Sequence, residues 1–316
     1  MKVDFVTLDV FTKTVFGGNP LAVVTGADAL STEQMQAITR EFNYSETTFV
    51  VEPTDPSCTA AVRIFSPAHE LPFAGHPNVG TAVALARTGS AFGRSIGDRV
   101  RFEERIGIVE VDILREGDEV VGARFVAPGQ AERGSMFEED AIAQCVGLPP
   151  GSLCLEKHLP RIVSLGISFV FAELVSVEML ARCQPARTAF GAHLSAELAE
   201  GLVLYARDRG DDGEIRLRAR VFAHMQDIVE DPATGSAAAM IGALLGEVEP
   251  GSDDLRIVID QGIEMNRPSR IDVGVSRSGT DEPTVTVGGR AVPVMAGVLT
   301  LQDRSDRSST MGGSQT

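Results

Sequence analysis

Tryptophan is absent from the 316-residue chain and tyrosine occurs only twice, so the hydrophobic core is expected to be aliphatic. Positive charge is short as well: 28 Lys and Arg stand against 44 Asp and Glu, a formal charge of -16. That balance argues against a protein that wraps phosphate backbones, which calls for a basic stripe, so no nucleic-acid partner is expected. A local pocket for a small anion stays open. The four cysteines, Cys58, Cys145, Cys154 and Cys183, show no Cys-x-x-Cys spacing, which excludes a zinc knuckle and a redox dithiol. His69, His158, His193 and His224 have no metal-type spacing, and no metal is expected. No run approaches the ~20 apolar residues of a membrane span. Met1 to Phe11 carries Asp4 and Asp9 where a signal peptide would be apolar. The expectation is a cytoplasmic protein with no membrane partner.

The length suits two domains. Residues 2–10 alternate as a strand, and Val15 to Val24 runs through the turn cluster Gly17-Gly18-Asn19-Pro20 into the apolar Leu21-Ala22-Val23-Val24. Ser31-Thr32-Glu33-Gln34 has the form of a capping box, followed by Met35, Ile38 and Phe42 at helical spacing up to Asn43. Strands are expected at Thr47–Glu52, Cys58–Phe65 and Arg99–Val111, the last with a bend at Gly107. Between them Pro77–Arg87 is small or apolar on nearly every face, the pattern of a helix buried all round. The second half repeats this grammar. Strands at Arg161–Phe171, Leu202–Arg207 and Ile215–Phe222 lead to Glu230-Asp231-Pro232-Ala233-Thr234-Gly235-Ser236, and a second all-apolar helix follows from Ala237 to Leu245. Gly75 and Gly235, in the loops that open the two helices, lie about half the chain apart, which points to an internal duplication. The fold class is therefore α+β, two similar domains with a sheet around one central helix in each. Residues 303–316, rich in Ser, Gly, Arg and Thr, are expected to be a disordered tail.

The two helix-opening loops carry the chemistry. A helix N-terminus offers unpaired N–H groups and a positive dipole end, which bind anions. Gly75 and Gly235 would let a ligand approach the backbone, and Pro77 suits a first helical position. The plainer alternative is that Gly, Pro, Ser and Thr here are only caps. Neither loop has the Walker or Gly-x-Gly-x-x-Gly pattern, so nucleotides are not suggested. Glu46, between a helix end and an apolar strand, is a surface carboxylate unless an apolar cleft desolvates it, in which case its raised pKa would suit acid/base work. His76 is a donor to substrate or a helix cap. Asp231 caps its helix or orients an amine or hydroxyl of a ligand.

Taken together, Ser45-Glu46-Thr47-Thr48-Phe49-Val50, Arg63-Ile64-Phe65, Glu70-Leu71-Pro72-Phe73-Ala74-Gly75-His76-Pro77 and Glu230 to Ala238 resemble the PhzF family. Gln34 to Ile38, Arg40-Glu41, Gln261-Gly262 and Arg267-Pro268-Ser269 fit it too, so the resemblance reaches from the N-terminus to about Gln302. It implies a diaminopimelate epimerase-like fold: residues 1–126 plus about 291–302 form one domain and 127–290 the other, each a curled, mostly antiparallel sheet around its helix, with the site in the cleft. It implies a cofactor-independent isomerase in which Glu46 abstracts and returns a proton. His76 and Asp231 would complete the catalytic group, and Ser45, Gly75, Thr234, Gly235 and Ser236 would bind a small carboxylate substrate. In the family's namesake reaction, trans-2,3-dihydro-3-hydroxyanthranilate is isomerised by moving a proton from C3 to C1. The resemblance also suggests a homodimer. Relatives of the fold that racemise amino acids use two cysteines at the helix starts; this chain has none there. An isomerase or epimerase of another unsaturated amino or hydroxy acid, or a non-catalytic binding protein, are the competing readings. The stretches Ala127–Cys154 and Ala181–Leu198 are candidates to line or cover the cleft.

Overall fold

The computed structural model describes residues 1–194, 199–209, 214–222, 230–251, 254–277 and 283–301. The expected tail at 303–316 and His224 lie outside them. The first half runs β1 (Lys2–Val10), β2 (Asn19–Thr25), α1 (Thr32–Phe42), β3 (Glu46–Val51), β4 (Ala60–Phe65), β5 (Glu70–Leu71) and α2 (Gly75–Thr88). It continues through β6 (Ser90–Ala91), β7 (Arg94–Ser95), β8 (Arg99–Glu104), β9 (Gly107–Glu116) and β10 (Glu119–Val126). The second half has β11 (Glu132–Met136), α3 (Glu139–Cys145), β12 (Arg161–Ser164), β13 (Ser168–Leu174), α4 (Val177–Arg182), α5 (Arg187–His193), β14 (Gly201–Asp208) and β15 (Ile215–Phe222). Then come α6 (Gly235–Val248), β16 (Leu255–Gln261), β17 (Ser269–Ser276) and β18 (Thr284–Thr300).

Pairing in the order β1-β2-β3-β4-β8-β9-β10-β18, with β18 returning to β1, closes a barrel around α2. From β18 the same sheet continues through β17, β16, β15, β14, β13, β12 and β11, curling around α6. The fold is thus α+β with two similar sheet-and-helix units. Both crossovers that carry a central helix join parallel strands: β4 to β8 across α2, and β15 to β16 across α6. Preceding each is another parallel pair with a peripheral helical crossover, β2 to β3 through α1 and β13 to β14 through α4 and α5. The duplication read from Gly75 and Gly235 is therefore repeated in strand order.

β18 links the units. Thr284 to Gly288 pair with β17, whereas Ala291 to Thr300 pair with β1. Pro293, which has no N–H to donate, sits beside the register shift at Thr7/Leu8, and the nearby Met295 N–H donates to Thr7 Oγ1 at 3.1 Å.

α2 and α6 are buried on nearly every side because α2 fills the closed barrel and α6 lies inside the curled second half of the sheet. Small residues permit the fit: a Cβ on Gly80 would meet Leu21 Cδ2 at 2.5 Å, and one on Gly242 would meet Val273 Cγ1 at 2.8 Å. α1 starts as the sequence indicates, Ser31 Oγ accepting from Gln34 N while the Gln34 side chain accepts from Ser31 N. It ends at Asn43 in the left-handed conformation, φ 53°.

Four sequence-based expectations change. The core is not wholly aliphatic, because Phe11, Phe49, Phe102, Phe125 and Phe171 are among its largest fully buried side chains. The Arg161–Phe171 strand is two strands, β12 and β13, turned back on each other at Gly166, φ 83°. α2 begins at Gly75, so Pro77 is its third residue, where its missing N–H still costs nothing because the first four are unpaired within the helix. Ala127–Cys154 and Ala181–Leu198 contribute Ile142, Cys145, Phe190 and Leu194 to a second core cluster, packed with Val170, Ala172, Leu202 and Leu204 on the face of the second unit's sheet away from α6. No described helix is long and apolar enough to cross a membrane.

Candidate active site

Four chain segments meet where the two central helices begin. The left-handed Asn43 turns the chain out of α1, and Ser45 and Glu46 follow as β3 starts opposite Leu21 of β2. Asn19 opens β2 and is completely buried. The Ala74–Gly75 turn presents His76, 4% exposed, and the Glu230–Thr234 turn presents Asp231, 8% exposed.

Asn19 joins these groups. Its Nδ2 donates to Asp231 Oδ1 and to the Ala233 carbonyl, both at 2.9 Å, and its Oδ1 accepts from Ser45 Oγ at 2.9 Å. The opposite amide orientation would set oxygen against oxygen at Asp231 and Ala233, so this one is fixed by its partners. The same Nδ2 lies 3.4 Å from His76 Nδ1. Nδ2 has only two hydrogens and spends them on Asp231 and Ala233, so this longer contact leaves the imidazole tautomer open. Nε2 in turn lies 3.4 Å from Glu46 Oε2, and neither atom has a hydrogen-bond partner among the described residues.

Burial drives His76 down to about 3, so the imidazole is neutral and this contact is not an ion pair. Burial raises the Glu46 carboxyl to about 8, the neighbouring Asp231 charge adds to that, and the Ser45 hydroxyl opposes it. Burial also raises Asp231, to about 6, against the hydrogen bonds donated by Thr234 and Asn19. Donors therefore favour charge on Asp231, while the proton of the pair resides on Glu46.

Thr234 Oγ1 donates to Asp231 Oδ2 at 2.5 Å instead of capping α6, and Ala74 has no side chain that can cap α2. Both helices therefore start without a side-chain cap, contrary to the plainer alternative for these loops. Gln261 Nε2 donates to the Asp231 carbonyl at 2.8 Å, and its Oε1 accepts from Thr234 N at 3.2 Å.

The two helix starts touch. A Cβ on Gly75 would lie 2.9 Å from Gly235 Cα and 3.1 Å from Ser236 N, and one on Gly235 would lie 3.1 Å from Gly75 Cα. Glycine at these two positions is thus required by backbone meeting backbone across the units, in addition to any ligand. All eight residues singled out from the sequence, Ser45, Glu46, Gly75, His76, Asp231, Thr234, Gly235 and Ser236, come together here.

A cavity of about 390 Å³ opens beside them. Ser45, Asp231 and Asn19 line it, with Tyr44, Met265 and Arg267 on other walls; Glu46, 14% exposed, and His76 do not line it. No residue of 127–154 or 181–194 lines this cavity. Sequence reasoning missed two residues, Asn19 and Arg267. Arg267 reaches from the second unit to the Gly17 and Gly18 carbonyls at 2.7 and 2.8 Å and to Asp9 at 2.6 Å, steadying the turn that presents Asn19. The Gly-Gly-Asn-Pro cluster and the Arg-Pro-Ser motif were the signals available for them.

A model of the family described as "Phenazine biosynthesis-like protein" matches residues 8–297. The chain is 34% identical to an uncharacterised isomerase of Mesorhizobium japonicum, over 94% of this chain and 98% of that protein. It is 32% identical to trans-2,3-dihydro-3-hydroxyanthranilate isomerase of Pseudomonas chlororaphis, over 94% and 99% of the two chains. The crystal structure of a Bacillus anthracis phenazine biosynthesis protein of the PhzF family has the same fold, with TM-score 0.82 and 24% identity over 95% of this chain and all of that one. With its two uncapped helix starts meeting beside a buried carboxyl pair, the chain belongs to the PhzF-type phenazine biosynthesis-like family and is an isomerase.

Proposed function

We propose that the protein isomerises a small unsaturated ring carboxylate of the trans-2,3-dihydro-3-hydroxyanthranilate kind by proton transfer through Glu46. The observation that carries this is the Glu46 carboxyl, desolvated yet in reach of a neutral His76 and of Asp231. A carboxyl with a pKa near 8 exchanges protons readily near neutrality in either direction, which a residue that must first accept and then return one needs. As carboxylate, Glu46 takes the proton from C3, and the C3–H electron pair moves into the conjugated system. The resulting acid delivers the same proton to C1, where a new C–H bond forms. Atoms and charge balance without a further reactant.

His76, through Nε2, hydrogen-bonds substrate or Glu46. Asp231, charged and held by Asn19 and Thr234, takes the amine or hydroxyl. Gly75, Gly235 and Ser236 at the helix starts, with Ser45 and Thr234, hold the substrate carboxylate, where the dipole ends favour negative charge. The cavity lies in the ~300–1,000 Å³ range of small-molecule sites; it is lined by Ser45 and Asp231 but not by Glu46, so the ring must enter past Ser45 to reach the buried carboxyl. We take the two units to be residues 1–126 with about 291–302, and 127–290, the change of β18 from β17 to β1 supporting that division.

The test is incubation of the purified chain with trans-2,3-dihydro-3-hydroxyanthranilate and a panel of related unsaturated acids in D₂O, followed by NMR. Turnover, lost in Glu46→Gln, is expected, and any deuterium at C1 measures exchange of the Glu46 proton with solvent before its return. No turnover of any compound, or identical behaviour of the variant, overturns the proposal.

A further inference from the structure

Leu217, Ala219 and Val221 of β15 pack into the core around α6, so Arg218, Arg220 and Phe222 face the other side of the sheet, where α4 lies. Arg220 is 6% exposed, and its guanidinium lies over the Phe222 ring, 4.9 Å from the centroid. Its Nε and Nη2 each donate to one oxygen of the Glu230 carboxylate at 2.8 Å. Its Nη1 donates to the Cys183 and Leu180 carbonyls, at 2.8 and 3.1 Å, where α4 ends. Glu230 directly precedes Asp231, whose own N–H donates to the Val221 carbonyl at 2.9 Å. The turn that presents Asp231 is therefore fastened to β15 at two neighbouring points. Glu230 also lines the cavity, together with Asp231 and Arg267, and Arg267 is already committed to Asp9 and two carbonyls. Of the other titratable groups beside Arg220, Arg218 is bonded to Glu264 at 2.8 Å, and burial pushes the Cys183 thiol up to about 12, leaving it neutral. Arg220 is thus the cation that answers Glu230.

We propose that Arg220 is a positioning residue of the isomerase site: by holding Glu230 and cancelling its charge, it sets the Asp231 turn in place and keeps a repelling anion out of the cavity wall. Lysine could not do the same, because one ammonium cannot meet a carboxylate as a fork and also reach two carbonyls. Removing one partner of such a buried pair leaves the other as an uncompensated charge, which is how the role can be read. The effect on substrate rests on the reading above that the substrate is a carboxylate.

The experiment compares wild type, Arg220→Met, Glu230→Gln and the double variant by ¹³C-carboxyl NMR of labelled aspartate and by kcat and KM. The Asp231 signal is identified by its loss in Asp231→Asn. In Arg220→Met the bare Glu230 charge should move the Asp231 titration upward and raise KM on the order of tenfold. Glu230→Gln leaves the arginine unopposed, so Asp231 should titrate lower than in wild type. The double variant removes both charges and should bring the titration, and most of the KM, back toward wild type. A double variant as displaced as Arg220→Met in titration and KM would make the arginine merely structural and overturns the proposal. An Asp231 titration common to all four proteins overturns it as well. Should Arg220→Met not fold, Glu230→Gln decides: a downward shift supports the proposal, and no shift overturns it. The titrations need no substrate, so a wrong substrate assignment leaves them intact.

Discussion

Gly75→Ala probes the junction of the two units directly. The added Cβ would sit 2.9 Å from both the Cα and the carbonyl carbon of Gly235, where ordinary contact begins at 3.4 Å, and both obstacles are backbone. The helix starts must therefore separate by about 0.5 Å, a strain that overpacking studies put at ~1–3 kcal/mol. At an unobstructed site the same change would stabilise by ~0.4–1 kcal/mol through the unfolded chain, so the sign of the effect is diagnostic. Because the displaced atoms are the proposed anion donors, turnover should fall by more than stability, on the order of 10- to 100-fold. Thermal melts and turnover on the same preparations read both quantities. Gly235→Ala, with its nearest contact at 3.1 Å, should be milder in each. A Gly75→Ala protein as stable and active as wild type would refute the close approach of the helix starts.

Asn19→Leu removes the donor to Asp231 and Ala233 and the acceptor for Ser45; denaturant melts should show a loss of roughly 2–4 kcal/mol, with turnover reduced further. Stability should also fall as pH rises toward 8. Glu46 and Glu104 have folded pKa values raised above 4.5, so the folded state holds protons that the unfolded state has lost. Their contribution is fully present below about 4.5 and is lost as pH climbs through about 8, at ~1.4 kcal/mol per pH unit for each group. His76, lowered to about 3, acts in the opposite sense between 3 and 6.5 and offsets only one carboxyl there, while Asp231, raised to about 6, adds to the loss; the decline therefore begins near 4.5 and is unopposed by His76 above pH 6.5. Urea midpoints at pH 6.5 and 8 should show it, with a smaller drop in Glu104→Gln; equal midpoints would contradict both buried acids.

Much of the site was legible because its parts are local. The capping box at Ser31, the two featureless apolar helices and the loops at Gly75 and Gly235 are written in neighbouring residues, and the structure repeats them in place. Asn19 was not legible: within Gly-Gly-Asn-Pro it reads as a turn, and its bonds run to residues more than 200 positions away. The reason for the paired glycines was similarly hidden, since each is explained only by the other. β18, whose alternation is interrupted by Gly288, Gly289 and Pro293, gives a weak strand signal although it joins both sheets. The segments 127–154 and 181–198 read as cleft walls because they separate strands, yet apolar residues such as Ile142, Cys145 and Phe190 are spent packing against β13 and β14 of the second unit.

The central claim is that Glu46 carries the proton, and the pH dependence of turnover in wild type and Glu46→Gln tests it most directly. With trans-2,3-dihydro-3-hydroxyanthranilate as substrate, kcat/KM should rise with pH through a transition well above 4.5 and toward 8, as the raised Glu46 carboxyl ionises. Glu46→Gln should lose on the order of 10²–10⁴-fold and the transition with it. A Glu46→Gln enzyme with wild-type turnover and an unchanged profile would contradict the account.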